Sequence, residues 1–187
     1  MLRLVARLVT LAAALALAAG CAPELPKEIY ADDAFTADEE AMLVEMIDEW
    51  NRVGREYLGR EEILIYRGRF SDANGFDPDD LGDDHSVIYR GTEDQYYEYL
   101  DGSGDDGLTL LGYGTTADVL LFTFQLADEQ AFRHVALHEL GHFLGLGHVP
   151  DDTTAVMYYL TGADPPIRLN RTDLQDFCLV YSCIRQP

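Results

Sequence analysis

The chain is poor in positive charge. Its 187 residues carry 13 Lys and Arg against 34 Asp and Glu, a net charge of −21. A surface of that sign repels nucleic acid and anionic lipid headgroups, so nucleic acid is excluded as a partner. Cysteine is also scarce. With three in all, there is room for one intramolecular bridge. Long apolar runs are missing except at the very start, and that run, Leu8 to Ala19, is short for a bilayer span. The acidic loops lack the glycine and terminal glutamate positions of an EF-hand.

The start of the chain has the layout of a secretory signal. Arg3 and Arg7 precede the apolar run, which ends Leu17-Ala18-Ala19-Gly20-Cys21. Small residues before a cysteine resemble a bacterial lipoprotein cleavage site. The resemblance implies cleavage before Cys21, a lipid on Cys21 and an exported lipoprotein of the cell envelope, at the outer membrane or cell surface. Ordinary secretion is the alternative. The mature chain then has 187 less 20, or 167 residues, which suits one domain. Residues 1–20 are expected as signal peptide, 21–34 as a tether and 35–187 as the folded domain. In an oxidising compartment Cys178 and Cys183 are an even pair free to bridge.

Thr36-Ala37-Asp38-Glu39 reads as a capping box. Behind it Leu43, Met46, Ile47, Trp50, Val53 and Tyr57 recur at helical spacing until Gly59 supplies a stop. Strands are expected at Glu62–Phe70, Ser86–Arg90 and Asp118–Leu126, the last apolar enough to be buried on both faces. Ser71–His85 reads as a loop whose Asp72, Asn74, Asp77, Asp79, Asp80, Asp83 and Asp84 offer oxygen ligands to calcium or simply solvate the surface. His85 reads as a solvated histidine. Asp101–Gly107 is a second acidic loop. Thr172-Asp173-Leu174-Gln175 reads as a capping box for a last helix through about Tyr181.

The chemistry concentrates in His138-Glu139-Leu140-Gly141-His142-Phe143-Leu144-Gly145-Leu146-Gly147-His148. It sits in a helix-like run that Asp128 caps. His138 and His142 are one turn apart and share a face, so both imidazoles can reach one metal ion. Glu139 stands beside that metal as a general base. Gly145 can take a left-handed conformation, ending the helix and turning the chain so that His148 returns as a third ligand. Three neutral histidines with one open position are a catalytic zinc arrangement, because a structural site would close the fourth position with protein. His134, a turn before His138, reads as a group behind the ligands or a surface histidine.

This stretch, followed by Val156-Met157-Tyr158-Tyr159, resembles the metzincin zinc metallopeptidases, and within them bacterial matrixin-like (peptidase M10-type) proteins. The resemblance implies an α+β catalytic domain: a twisted mixed β-sheet, a backing helix, the active-site helix, and a small C-terminal subdomain with a Met-turn and a terminal helix. It implies one catalytic Zn²⁺ on His138, His142 and His148, with Met157 as the floor beneath them. It implies an endopeptidase in which Glu139 takes a proton from a zinc-bound water and passes it to the leaving amine. It places Leu108–Tyr113 at the sheet edge, where an extended peptide or protein substrate would pair. Tyr158 fits the tyrosine that follows the methionine in matrixins, and Tyr159 has the offset of an oxyanion helper in other metzincins. The histidines that hold a second, structural zinc in animal matrixins are absent, while calcium stays open. A different reading keeps the fold without turnover, as an envelope-tethered binding or assembly module.

Overall fold

The computed structural model describes residues 23–71, 85–97, 111–159 and 164–187. The segment expected to be a tether lies largely inside the sheet. Lys27–Asp32 forms strand β1, with Ile29 and Ala31 fully buried. It pairs in parallel with β2 (Leu64–Phe70) on one side and β3 (Val87–Arg90) on the other. β5 (Val119–Leu121) continues the sheet in parallel, and β4 (Gly112–Gly114) closes it antiparallel, giving the order β2-β1-β3-β5-β4. The signal and Cys21, most of the first acidic loop, the second acidic loop and residues 108–110 of the expected edge strand lie outside the described residues.

The capping box forms as the sequence indicates. Thr36 Oγ1 accepts from the Glu39 amide at 3.2 Å, and Glu39 accepts from the Thr36 amide at 2.8 Å. It starts α1 (Ala37–Val53), the backing helix. Gly54 begins a wider π-type turn (Gly54–Leu58), and Gly59 ends it at φ 67°. Only glycine fits at position 54, because a Cβ there would lie 2.6 Å from Ile63 Cγ2. Asn51, 4% exposed, binds both backbone polar groups of the next strand's first residue: its Oδ1 accepts from the amides of Ile63 and Leu64, and its Nδ2 donates to Leu64 O.

α1 packs along α2 (Glu129–Phe143) on one face of the sheet. Trp50 is fully buried between them and donates its indole N–H to Leu137 O at 3.0 Å. The far face of the sheet carries its own apolar layer, with Val87, Tyr89, Tyr96, Leu120 and Phe122 buried. β3 and β5 are therefore covered on both sides, which for β5 is what its apolar run predicts. That run is shorter as a strand than expected. After Leu121, Phe122 gives its amide to Leu111 O, the chain coils into a 3₁₀ turn at Thr123–Gln125, and Phe124 emerges 44% exposed.

The last helix, α3 (Arg171–Tyr181), starts earlier than the Thr172 box suggests. Asn170 is the N-cap and Asp173 the reciprocal partner. Thr172 sits inside the first turn and gives its hydroxyl to Asp152 at 2.6 Å. Cys178 and Cys183 are bridged, with sulfurs 2.08 Å apart. His85 is exposed at the surface, stacked on the Phe70 ring at 4.9 Å.

Candidate metal centre

Asp128 accepts from the Ala131 amide at 2.9 Å and opens α2. From there one stripe of the helix repeats every four residues, and each member grips a backbone carbonyl of the C-terminal part. Gln130 Nε2 donates to Pro165 O at 3.0 Å. His134 Nδ1 donates to Pro166 O at 2.7 Å, His138 Nδ1 to Val156 O at 2.7 Å and His142 Nδ1 to Leu146 O at 2.8 Å. A carbonyl can only accept, so each of these Nδ1 atoms carries the proton and each Nε2 lone pair is free. His134 is thus a buried clasp, 2% exposed, and not a surface histidine.

The helix stops where the sequence indicates. Gly145 has φ +85°, and its amide returns to His142 O at 2.8 Å while the Leu146 amide returns to Gly141 O at 2.9 Å. The turn brings His148 back over the helix. His142 Nε2 lies 3.1 Å from His138 Nε2 and 3.1 Å from His148 Nε2, and the three ligand atoms fall within 4.8 Å of one another. A tetrahedral zinc held about 2.0–2.1 Å from each nitrogen needs them about 3.3–3.4 Å apart. The donor set suits that ion, and the two 3.1 Å spacings are close to that separation. Burial pushes the His138 imidazole down to about 3 despite the Val156 carbonyl, and it also lowers His142 and His148. All three rings are therefore neutral, the form that binds metal.

Glu139 is 6% exposed and faces the edge strand. Burial pushes its carboxyl up to about 8, and the Gly114 amide donating to it pulls the other way. The close approach depends on two glycines of β4. A Cβ at Gly112 would lie 2.8 Å from Glu139 Cγ, and one at Gly114 would lie 2.6 Å from the Glu139 carbonyl oxygen and 2.9 Å from His142 Cβ. Because backbone blocks the second position, Gly114→Ala is expected to push β4 off α2. The expected cost is about 1–3 kcal/mol of stability, with the Gly114–Glu139 bond lost. Denaturant unfolding checks it, and a variant as stable as wild type would show that the strand yields freely.

Met157 is fully buried beneath α2. Gly141 makes room for it, since a Cβ there would come 2.3 Å from Met157 Sδ. The Met157 carbonyl accepts from the Val149 amide at 2.8 Å, tying the turn to the chain just after His148. The group that holds this turn lies well downstream in the chain. Asp173, wholly buried, accepts from the amides of Val156 at 3.0 Å and Met157 at 2.9 Å. An acid at the third helix position reads in sequence as a cap, and Asp173 is that as well, accepting from the Asn170 amide at 2.9 Å. Tyr159 is 52% exposed with its ring centroid 6.3 Å from that of His148, and Tyr158 packs on Tyr159 at 4.7 Å.

No curated protein matches this sequence. Among solved structures, that of myroilysin aligns at a TM-score of 0.48 and 11% identity, over 88% of this chain and 96% of that one. The sequence profile of the matrixins, Peptidase M10, matches residues 16–182. With that match over most of its length, and with the mixed sheet, backing helix, metal-site helix and terminal helix of an α+β metzincin catalytic domain, this chain belongs to the matrixin family.

Proposed function

We propose that the protein is a zinc-dependent endopeptidase with His138, His142 and His148 as metal ligands and Glu139 as general base. The observation that carries this reading is the convergence of three neutral Nε2 atoms beside a buried carboxyl group, under a sheet edge. The ion, when bound, supplies Lewis acidity to the peptide carbonyl and to water. The chain's own residues do the rest. An extended peptide pairs along the outer edge of β4, which no described strand covers. A bound cation beside Glu139 would favour its ionised form against the burial that pushes it up. The carboxylate, held by the Gly114 amide, would then take a proton from the attacking water and deliver it to the leaving amine. The nearness of Gly114 to both Glu139 and His142 puts the paired backbone, the base and the metal ligands within one short reach.

The bridged Cys178 and Cys183 support export, because such bonds persist in oxidising compartments. Fractionation of the producing cells tests it, and a wholly cytosolic chain with free thiols would overturn it. The catalytic reading is tested by a panel of unrelated quenched peptides. Cleavage within the chain, abolished by a zinc chelator, is expected. A folded, zinc-loaded protein that cleaves none of them would favour the binding-module reading.

A further inference from the structure

Lys27 is the only lysine in the chain, and every other cationic side chain is arginine. Arg55 and Arg60 donate to the Glu61 and Leu25 carbonyls, while several other arginines take carboxylate partners, as in Arg52–Glu49, Arg69–Glu40 and Arg133–Glu45. A planar guanidinium suits that fork geometry. Lys27 binds differently. Its ammonium donates to Phe143 O at 2.7 Å and to Thr116 O, and it lies 3.5 Å from the centroid of the Phe143 ring. A compact ammonium with three donors can meet two carbonyls and a ring face at once.

Those carbonyls belong to the two structures that frame the metal centre. Phe143 is the last residue of α2, and Thr116 lies in the turn between β4 and β5. The end of any helix leaves its last carbonyls without partners inside the helix. Here they can be accounted for one by one. Gly141 O takes the Leu146 amide, and His142 O takes the Gly145 amide. Phe143 O takes Lys27 Nζ, and Leu144 O takes the Tyr181 hydroxyl at 2.7 Å. The turn itself satisfies the first pair, while side chains from near opposite ends of the chain satisfy the second. The positive charge also meets the negative end of the helix dipole. Three residues after Gly145, the chain delivers His148.

We propose that Lys27 and Tyr181 are positioning residues of the metal centre: they cap the end of the metal-site helix and so fix the turn that places His148, with Lys27 also tying that turn to the hairpin whose Gly114 holds Glu139. This rests on reading the three histidines as a zinc site. Neither residue is among the three candidate ligands. Loss of either cap frees a carbonyl at the turn and loosens the third ligand, while His138 and His142 stay on the intact part of the helix.

The test measures zinc affinity by chelator competition, and the visible spectrum of the Co(II)-substituted protein, for wild type, Lys27→Met, Tyr181→Phe and an Ile63→Val control. Ile63 is buried in the core just before β2, and its carbonyl accepts from the Lys27 amide at 3.0 Å, a backbone bond that Ile63→Val keeps. Lys27→Met is expected to weaken zinc about tenfold or more, in the range seen when groups behind metal ligands are removed, and to change the cobalt bands. Tyr181→Phe should do the same to a smaller degree, and Ile63→Val should lower the melting temperature while leaving affinity and spectrum unchanged. Wild-type zinc affinity and cobalt bands in folded Lys27→Met would overturn the proposal, as would an equal loss in the control. If Lys27→Met does not fold, Tyr181→Phe decides by the same criterion. A wild-type protein that binds no zinc would overturn the zinc reading itself, and this inference with it.

Discussion

Glu139→Gln is expected to lower kcat by about 10²–10⁴-fold, the usual contribution of a positioned general base. Zinc content and fold should stay as they are. Glutamine has the size of glutamate, and size matters here because Gly112 and Gly114 leave no spare room around the side chain. The glutamine carbonyl can still accept the Gly114 amide, so the edge strand keeps its seat. The three histidines are untouched, and their Nδ1 atoms remain on Val156 O and Leu146 O or, for His148, free of any change. What disappears is the ability to take a proton from water and return it to the amine. Steady-state kinetics on a cleaved peptide, with zinc assayed on the same samples, reads this directly. Activity within a few-fold of wild type would remove Glu139 from the proton-transfer role.

Asp173→Ala is expected to destabilise the protein by about 3–5 kcal/mol, because each buried amide left without an acceptor costs about 1–3 kcal/mol. Three amides lose their partner: Val156, Met157 and Asn170. Burial pushes the Asp173 carboxyl above its ordinary range, against the pull of the Met157, Asn170 and Val156 amides, so part of the loss is offset by no longer burying a carboxylate. Against a total folding stability of about 5–15 kcal/mol, the effect is large. It should also reach the metal, since Val156 O is the acceptor that orients His138. Asp173→Asn keeps one acceptor oxygen and should fall between. Denaturant unfolding measures all three proteins. An alanine variant within about 1 kcal/mol of wild type would show that the Met-turn is held by something other than Asp173.

Several features were legible in the sequence because each is a local pattern with a local cause. The Thr36 box, the helical spacing of Leu43, Met46, Ile47 and Trp50, the stop at Gly59, the cap at Asp128 and the turn at Gly145 all take the expected form. The convergence of His138, His142 and His148 follows from helix spacing plus one left-handed residue. β1 was hidden because Pro23, Pro26 and a charged Lys27-Glu28 make a tether-like lead-in, and only Ile29 and Ala31 face the core in a strand of six residues. The end of β5 was hidden because an apolar sequence does not record that the Phe122 amide goes to Leu111 O.

The largest gap concerns the partners behind the ligands. Asn51, His134 and Asp173 are polar residues whose burial is set by contacts far along the chain, Asp173 reaching back 17 residues to Val156. Their sequence neighbourhoods offer ordinary explanations, a helix surface or a cap. The same holds for Lys27, whose partners Thr116 and Phe143 lie 89 and 116 residues away.

The most direct measurement is a zinc titration of metal-stripped protein, following peptide cleavage and bound metal together. Activity should rise linearly and level off at about one zinc per chain, as one tetrahedral site with an open position requires. Cleavage by fully metal-stripped protein, or zinc bound without cleavage of any peptide in the panel, would contradict the account.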